Sequence, residues 1–426
     1  MRFVSCGVKK RMADMEIQKI REIVNPVFNT AKSCTQLIAA AGDEDAKRLT
    51  EALGFQSFGE QKYEKSVSEE MAEQVKRLAP AYMVLIESRF RTVNQLLDSR
   101  KDSLIADLPC GYTSRGIRMS KQGRAYFGFD LPAVIDDIAP AVESVIGRND
   151  NVHYHAVDAT NYESLEAPFS DGDKNLLITT EGLLMYFSQS ELEEVFGNIR
   201  RLLQKHGGSW VTTDRAYAFR DRDIAHAALN YDEKLTAMYE AVTGKAAATA
   251  ADVKFGSNVF FDTDEKQVKA FIDRMGFELK EIPMSDHLPQ KLGSVSGDAD
   301  KSVREVFKDL YFWEMTVKTG AQERQTDEKS FSVSTAKQGT TLQVFISGRL
   351  DTLTAPELLN KFREAEEPIE TIELHVEDMT YISSAGLRIL LIMYKSLEDK
   401  NGFKMIGVRD SVREIIETTG FESVFM

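Results

Sequence analysis

From about Ala13 to Arg100 the apolar residues return at every third or fourth position. In FGEQKYEKSVSEEMAEQVKRLAPAYMVLIESRFRTVNQLLDSR that spacing runs through many good helix formers, so it predicts helices with one break, at Pro80. At Ser103 the rhythm changes to short apolar runs alternating with amphipathic stretches. SLIADL, AYFGFD, VHYHAV, NLLITT and GSWVTT read as strands. Between them lie segments such as QSELEEVFGNIRRLLQKHGG, an amphipathic helix closed by glycine. Regular alternation of this kind predicts a parallel, doubly wound α/β sheet. After a polar, helix-rich excursion from Arg215 to Thr263, GFELKEIPM and YFWEMTVKT read as two further strands.

TGAQERQTDEKS then holds no apolar residue larger than Ala and marks a domain boundary. Beyond it TTLQVFISGRLD, TIELHVEDMTYI and FKMIGV read as strands, and APELLNKFREAEE, GLRILLIMYKSLEDK and SVREIIETTG as helices. They make a second, smaller α/β unit.

A length of 426 residues favours two or more domains. The net charge of −14 argues against a general nucleic-acid binder, because phosphate contacts need clustered Lys and Arg. Cys6, Cys34 and Cys110 are too few and too scattered for a disulfide framework or a zinc site, and the six histidines show no metal spacing. His153 and His155 alternate on a strand, where packing is the simpler role. No apolar run approaches about 18 residues, and MRFVSCGVKKRMADM lacks a signal-peptide core. The expectation is a cytoplasmic protein with no metal, no nucleic acid and no membrane among its partners.

Acids fall at the ends of successive predicted strands: Asp107, Asp130, Asp158 and Glu181. In open α/β sheets ligands bind outside the carboxyl ends of strands, so these side chains are candidates to converge on one crevice. Asp130 lies 23 residues past Asp107, close to the spacing of an acid that accepts from a ribose. Asp and Glu also favour strand ends and helix caps for local reasons, which is the competing reading of each one alone. In DLPCGYTSRG, Pro109 stands where a nucleotide-cradling loop usually carries its first glycine. Proline offers no N–H, so close backbone approach would fall on Cys110 and Gly111.

DLPCGYTSRG, YFGFDLP, VDATN and TEGLLMYFSQSELEEVF together resemble the class I S-adenosylmethionine-dependent methyltransferases. More narrowly, they resemble the leucine carboxyl methyltransferase family and its bacterial relatives that O-methylate polyketides, over roughly Glu64 to Lys318. The resemblance implies S-adenosylmethionine as cofactor. Asp107 and Gly111 would shape the loop beside its methionine end, with Pro109 as a stiffener. Asp130 would hold the ribose hydroxyls, Asp158 the adenine amino group, and Glu181 the cationic amino end. Arg89 or Arg91 would pair with the cofactor carboxylate; two arginines two apart do not share a helix face, and Arg89 is the favoured one. Tyr112 would cap the loop or pack in the core.

A carboxylate acceptor needs no general base, since a typical carboxyl pKa of ~4 leaves it ionised, but it needs a cationic clamp. Arg115 and Arg215 are the leading candidates for that clamp, with Arg118, Arg220 and Arg222 near them; a solvated arginine is the alternative for each. A phenol acceptor, with a pKa of ~10, would favour a base instead, and neither His226 nor His287 sits in a motif that assigns it that role.

From about Ser332 to Met426, ISGRLDTLTAPEL, VEDMTYISSAGLRILL and GFKMIGV resemble the STAS domain of bacterial anti-sigma-factor antagonists. In that family a kinase phosphorylates a serine at the matching loop, here Ser384, and the charge decides which partner binds. Ser383 stands where many members place an acid, and Asp351 in GRLD would share the surface. Both serines also read simply as an N-cap pair.

The expected architecture is α/β: a helical N-terminal extension over residues 1–100, a Rossmann-like methyltransferase core over 101–320, a linker over 321–331 and a STAS domain over 332–426. The expected function is an O-methyltransferase acting on a small-molecule or peptide carboxylate or hydroxyl. Its small domain would dock a regulatory protein or kinase, or act as a scaffold for a homodimer. The alternative is a regulatory protein that binds the cofactor or another nucleoside without turnover.

Overall fold

The computed structural model describes residues 28–55, 69–249, 257–319, 331–365, 368–418 and 421–425. The described residues divide into two compact units, 28–319 and 331–425.

The first unit is built on seven strands: β1 (Leu104–Asp107), β2 (Tyr126–Asp130), β3 (Val152–Ala156), β4 (Leu176–Thr180), β5 (Gly208–Thr212), β6 (Phe277–Pro283) and β7 (Tyr311–Val317). Their order is β3-β2-β1-β4-β5-β7-β6, with β1 to β5 parallel and β7 antiparallel to both neighbours. This is a doubly wound, Rossmann-like methyltransferase sheet with helices preceding it, as the alternating pattern predicts. The central strands β2 and β4 are buried along their whole length, because helices cover both faces. Successive residues therefore feed two separate cores. Leu176, Ile178 and Trp210 pack with Phe196 and Phe271 on one face. Ile105, Leu177 and Val211 pack with Val93, Leu96 and Phe312 on the other.

Chain order reverses between β1 and β4, the place where open α/β sheets leave a crevice at their carboxyl edge. The parallel register sets Asp107 opposite Gly128 and Thr179, and Asp130 opposite Ala156. All the strand-end acids thus emerge along one edge.

Two expectations need correction. Pro80 does not break the helix, which runs unbroken over Glu69–Ser99. The backbone bond that proline forfeits falls at the exposed turn of Lys76 and Arg77. The second unit also contains a strand that the apolar pattern misses, β8 (Ser332–Gln338). Val333 is its one large apolar residue, and it needs no more, because β8 is an edge strand paired antiparallel to β9 (Thr341–Leu350). With β10 (Thr371–Ile382) and β11 (Phe403–Ile406) the order is β11-β10-β9-β8. Leu342, Val344, Ile346, Leu374 and Val376 point to one face, under the helices Ala355–Arg363 and Ser384–Ser396.

Among the described residues no helix is long and apolar enough to cross a membrane.

Candidate functional site

The crevice is framed from the inside by one buried ion cluster. Asp107, 1% exposed, receives Arg115 Nη1 on both oxygens at 2.8 Å, Tyr126 Oη at 2.8 Å and Thr179 Oγ1 at 3.0 Å. Arg115 spends its other nitrogens on Asn94 Oδ1 at 2.9 Å and Glu181 Oε1 at 2.6 Å, and lies over the Phe90 ring. Burial works against its charge, but Asp107 and Glu181 more than restore it and raise its pKa. Asp107 faces the protein interior with its acceptor capacity filled, and braces from behind the loop it was expected to shape. One expectation is corrected. Arg115 clamps no acceptor, because every donor group of its guanidinium is engaged inside the fold.

Glu181 follows β4 and keeps Oε2 toward the crevice, where Arg89 Nε lies 3.6 Å away. Burial raises its carboxyl pKa against the pull of Arg115 and Arg89. Arg89 comes from the helix Glu69–Ser99, sits 5.6 Å from the Tyr217 ring centre, and flanks Gly182, whose φ is +69°. Arg91 points elsewhere and pairs with Glu87 at 2.7 Å; Glu87 also accepts from the amides of Gly293 and Ser294. The two arginines thus part as their helical spacing requires.

Asp130 ends β2 and is held by backbone alone. Gly111 N–H donates to Oδ2 at 2.8 Å and Leu131 N–H to Oδ1 at 2.7 Å. Burial pushes its carboxyl up to about 7, opposed by those two amides and reinforced by the charge of Asp107. Each oxygen has capacity for a second donor. Asp158 is also buried and turns Oδ1 onto Thr160 N–H at 2.9 Å and Thr160 Oγ1 at 2.7 Å.

The loop between β1 and the helix Arg115–Lys121 carries a cis Leu108–Pro109 bond and a left-handed Gly111, φ +51°. Cys110 N–H is given to Phe129 O at 2.8 Å, and Gly111 N–H to Asp130. Neither amide is left to donate to a ligand, contrary to expectation; the loop shapes the crevice and locks Asp130. Tyr112 packs in the core, its hydroxyl donating to Asp137 Oδ2 at 3.0 Å.

Several residues complete the site without having been singled out. The helix Phe28–Ala40 lies against this loop: Thr35 Oγ1 donates to Tyr112 O at 2.5 Å, and Cys34 falls within the fields of Arg89 and Glu181. Tyr186 shares those surroundings, and burial pushes its phenol up to about 12. Asp214, 2% exposed, takes three consecutive amides, Gly182 at 2.5 Å, Leu183 at 2.9 Å and Leu184 at 2.8 Å. A signal for Asp214 was present: it follows β5 just as the other acids follow their strands.

Of the remaining cationic candidates Arg222 is exposed, and the others are paired within the chain. Arg215 donates to the backbone carbonyls of Phe260 and Thr263 and stacks on Phe219, which corrects its expected place in an acceptor clamp. Arg118 pairs with Asp98 and Arg220 with Asp223. His226 lies 3.3 Å from Glu240, while His153 and His155 pack on Phe127. Among the described residues no group of three or more His, Cys, Asp or Glu side chains could hold a metal.

In the second unit Ser383 caps the helix Ser384–Ser396, accepting from Ala385 N–H at 3.2 Å and Gly386 N–H at 3.4 Å. The Ser384 side chain lies outside the described residues. Asp351 is fully buried and accepts from Leu353 N–H and from the N–H and hydroxyl of Thr354, so it builds a turn and corrects the expectation of a surface acid.

Residues 332–426 match the STAS domain family model. No curated protein sequence matches the chain. Solved structures similar to parts of it include an anti-sigma factor antagonist from Mycobacterium paratuberculosis, 24% identical over 22% of this chain and 83% of that one, TM-score 0.21. Magnesium protoporphyrin IX methyltransferase from Synechocystis PCC 6803, with bound SAH, is 12% identical over 64% of this chain and 93% of that one, TM-score 0.32. Human N-acetylserotonin methyltransferase in complex with SAM is 12% identical over 66% and 70%, TM-score 0.32. Values this low add nothing to what the strand order says of the fold.

Proposed function

We propose that residues 27–321 are an S-adenosylmethionine-dependent O-methyltransferase of the leucine carboxyl methyltransferase type, acting on a small-molecule or peptide carboxylate or hydroxyl. The observation that carries this reading is the charge at the sheet edge. Asp130, Asp158 and Glu181 are set there against the guanidinium of Arg89, with Asp214 under the turn after β4 and the Asp107–Arg115 pair buried behind them. An acidic crevice repels the pyrophosphate of a dinucleotide and suits a ligand that carries a sulfonium and an ammonium. The loop beside it, with both amides spent, likewise lacks a phosphate cradle.

The donor set fits the group part by part. Asp130 offers one lone pair on each oxygen to a pair of ribose hydroxyls. Asp158 stands one strand further along for the adenine edge. Glu181 Oε2 and Arg89 form a loose pair that a zwitterion would split, ammonium to the carboxylate and carboxylate to the guanidinium. S-adenosylmethionine, if bound, would supply a methyl group on an activated sulfonium for transfer to an acceptor oxygen. The protein's share is positioning and exclusion of water, with the helix Phe28–Ala40 packed over the loop.

The STAS domain supports a regulatory role: docking of a partner protein or kinase, with Ser384 at a helix N-terminus as the phosphorylation position. One observation favours a second reading, a regulator that binds the cofactor without turnover. Four of the five expected carboxylate clamps are already paired within the chain: Arg115 and Arg215 inside the fold, Arg118 and Arg220 with acids nearer the surface. Incubation with methyl-labelled S-adenosylmethionine and a panel of carboxylate and hydroxyl acceptors separates the two: transfer supports the enzyme, whereas stoichiometric cofactor binding with no transfer to any acceptor supports the regulator. Absence of cofactor binding removes both.

A further inference from the structure

We propose that Asp214 is a positioning residue for the amino-acid end of the cofactor, an assignment that rests on the cofactor reading above. Glu181 leaves β4 and enters a tight turn whose first residue, Gly182, is left-handed at φ +69°. Side chains rarely adopt that conformation, so the turn depends on glycine and on whatever binds its amides. A single carboxylate binds all three: Asp214 accepts from Gly182, Leu183 and Leu184. Asp214 is in turn held by its own N–H, which donates to Thr212 Oγ1 at 3.2 Å. It opens the helix Asp214–Ala228, so the turn after β4 is pinned to the element after β5.

What that turn carries is the recognition pair. A side chain added at Gly182 would come within 3.7 Å of Arg89 Nη1, so the turn backbone lies directly under the guanidinium. The Asp214 charge also acts on Arg89, alongside that of Glu181. Fixing the turn therefore fixes the 3.6 Å gap between Arg89 Nε and Glu181 Oε2. That gap is wider than a direct hydrogen bond and is where an α-amino acid would enter. The ribose side of the crevice is held differently, by Gly111 and Leu131, and does not involve Asp214.

The experiment uses two probes that differ only in the amino-acid end. S-adenosylhomocysteine carries it; 5′-methylthioadenosine lacks it but keeps the adenosine. Calorimetric titration of the full-length Asp214→Asn protein is expected to show affinity for S-adenosylhomocysteine reduced at least tenfold. Affinity for 5′-methylthioadenosine stays within twofold of the wild type. A residue that merely stabilises the fold would weaken both alike, so equal losses, or no loss, overturn the assignment. Gly182→Ala, which strains the same turn without touching Asp214, is expected to give the same selective loss and supplies the reading if Asp214→Asn does not fold. Its weakening both probes equally would likewise overturn it. A wild-type protein that binds neither probe overturns the cofactor reading, and this assignment with it.

Discussion

Asp107 and Asp130 end neighbouring strands of one sheet, yet they are held in opposite ways. Asp107 is enclosed by charged and hydroxyl side chains, Arg115, Tyr126 and Thr179, which consume its acceptor capacity. Asp130 is held by two backbone amides alone, one to each oxygen, at the carboxyl edge of the sheet. The first is a brace; the second is the one proposed to meet the ligand. A strand-end position alone does not make an acid functional; the partners that the fold leaves it do. Glu181 stands between the two, one oxygen spent on Arg115 and the other turned outward to Arg89.

Substitution should separate these roles. The largest effect is expected from Asp107→Ala, which strands the buried Arg115 charge. Breaking a buried pair by removing one partner costs about 3–5 kcal/mol, so the unfolding midpoint of the first unit should fall by roughly 10 °C. A scanning-calorimetry midpoint within two degrees of wild type would contradict the bracing role.

Asp130→Asn should do the reverse: little harm to the fold and a large loss of ligand affinity, roughly a hundredfold for S-adenosylhomocysteine, since a buried hydrogen bond to a charged group is worth about 1.5–3 kcal/mol. The pH dependence sharpens the contrast. A carboxyl raised from 3.8 to about 7 holds its proton more tightly in the folded state, so stability at this position is greatest below pH 4 and declines until about pH 7. At pH 8 the Asn variant escapes the buried charge but sets its NH2 against one of the two backbone N–H groups, so its stability should lie within about 2 kcal/mol of wild type. Cofactor affinity runs the other way, because only the ionised carboxylate accepts from both ribose hydroxyls. It should rise with pH through about 7 and then level off in wild type, and stay flat in Asp130→Asn. A flat wild-type profile between pH 5.5 and 8.5 would mean that Asp130 does not meet the ligand.

The smallest effect compares the two arginines. Arg89→Ala should weaken S-adenosylhomocysteine about tenfold and leave 5′-methylthioadenosine alone, in keeping with the loss of one partly buried ionic contact. Arg91→Ala should leave both affinities within twofold, since Arg91 serves Glu87. A larger loss from Arg91→Ala would invert the assignment.

Much of this was legible in the chain. The apolar runs at β1 to β5 mark a buried parallel sheet because strands covered on both faces admit few polar residues. The same logic placed the acids at one edge. What escaped were features decided by distant partners or by exposure. The edge strand β8 buries one face with a single Val333, so its pattern is faint. Pro80 is tolerated because solvent reaches the turn before it. Arg115 looked like a loop cation and became the hub of the cluster, because Asp107, Asn94 and Glu181 arrive from three separate elements. Asp214 obeyed the visible strand-end rule, but its three amide partners belong to a turn some thirty residues earlier.

A crystal structure of the full-length protein with S-adenosylhomocysteine tests the central claim most directly. The account predicts ribose hydroxyls on both oxygens of Asp130, and the ligand's amino group on Glu181 Oε2 with its carboxylate on Arg89. An adenosyl group bound away from this edge, or Asp130 and Glu181 left without contact to it, would contradict the account.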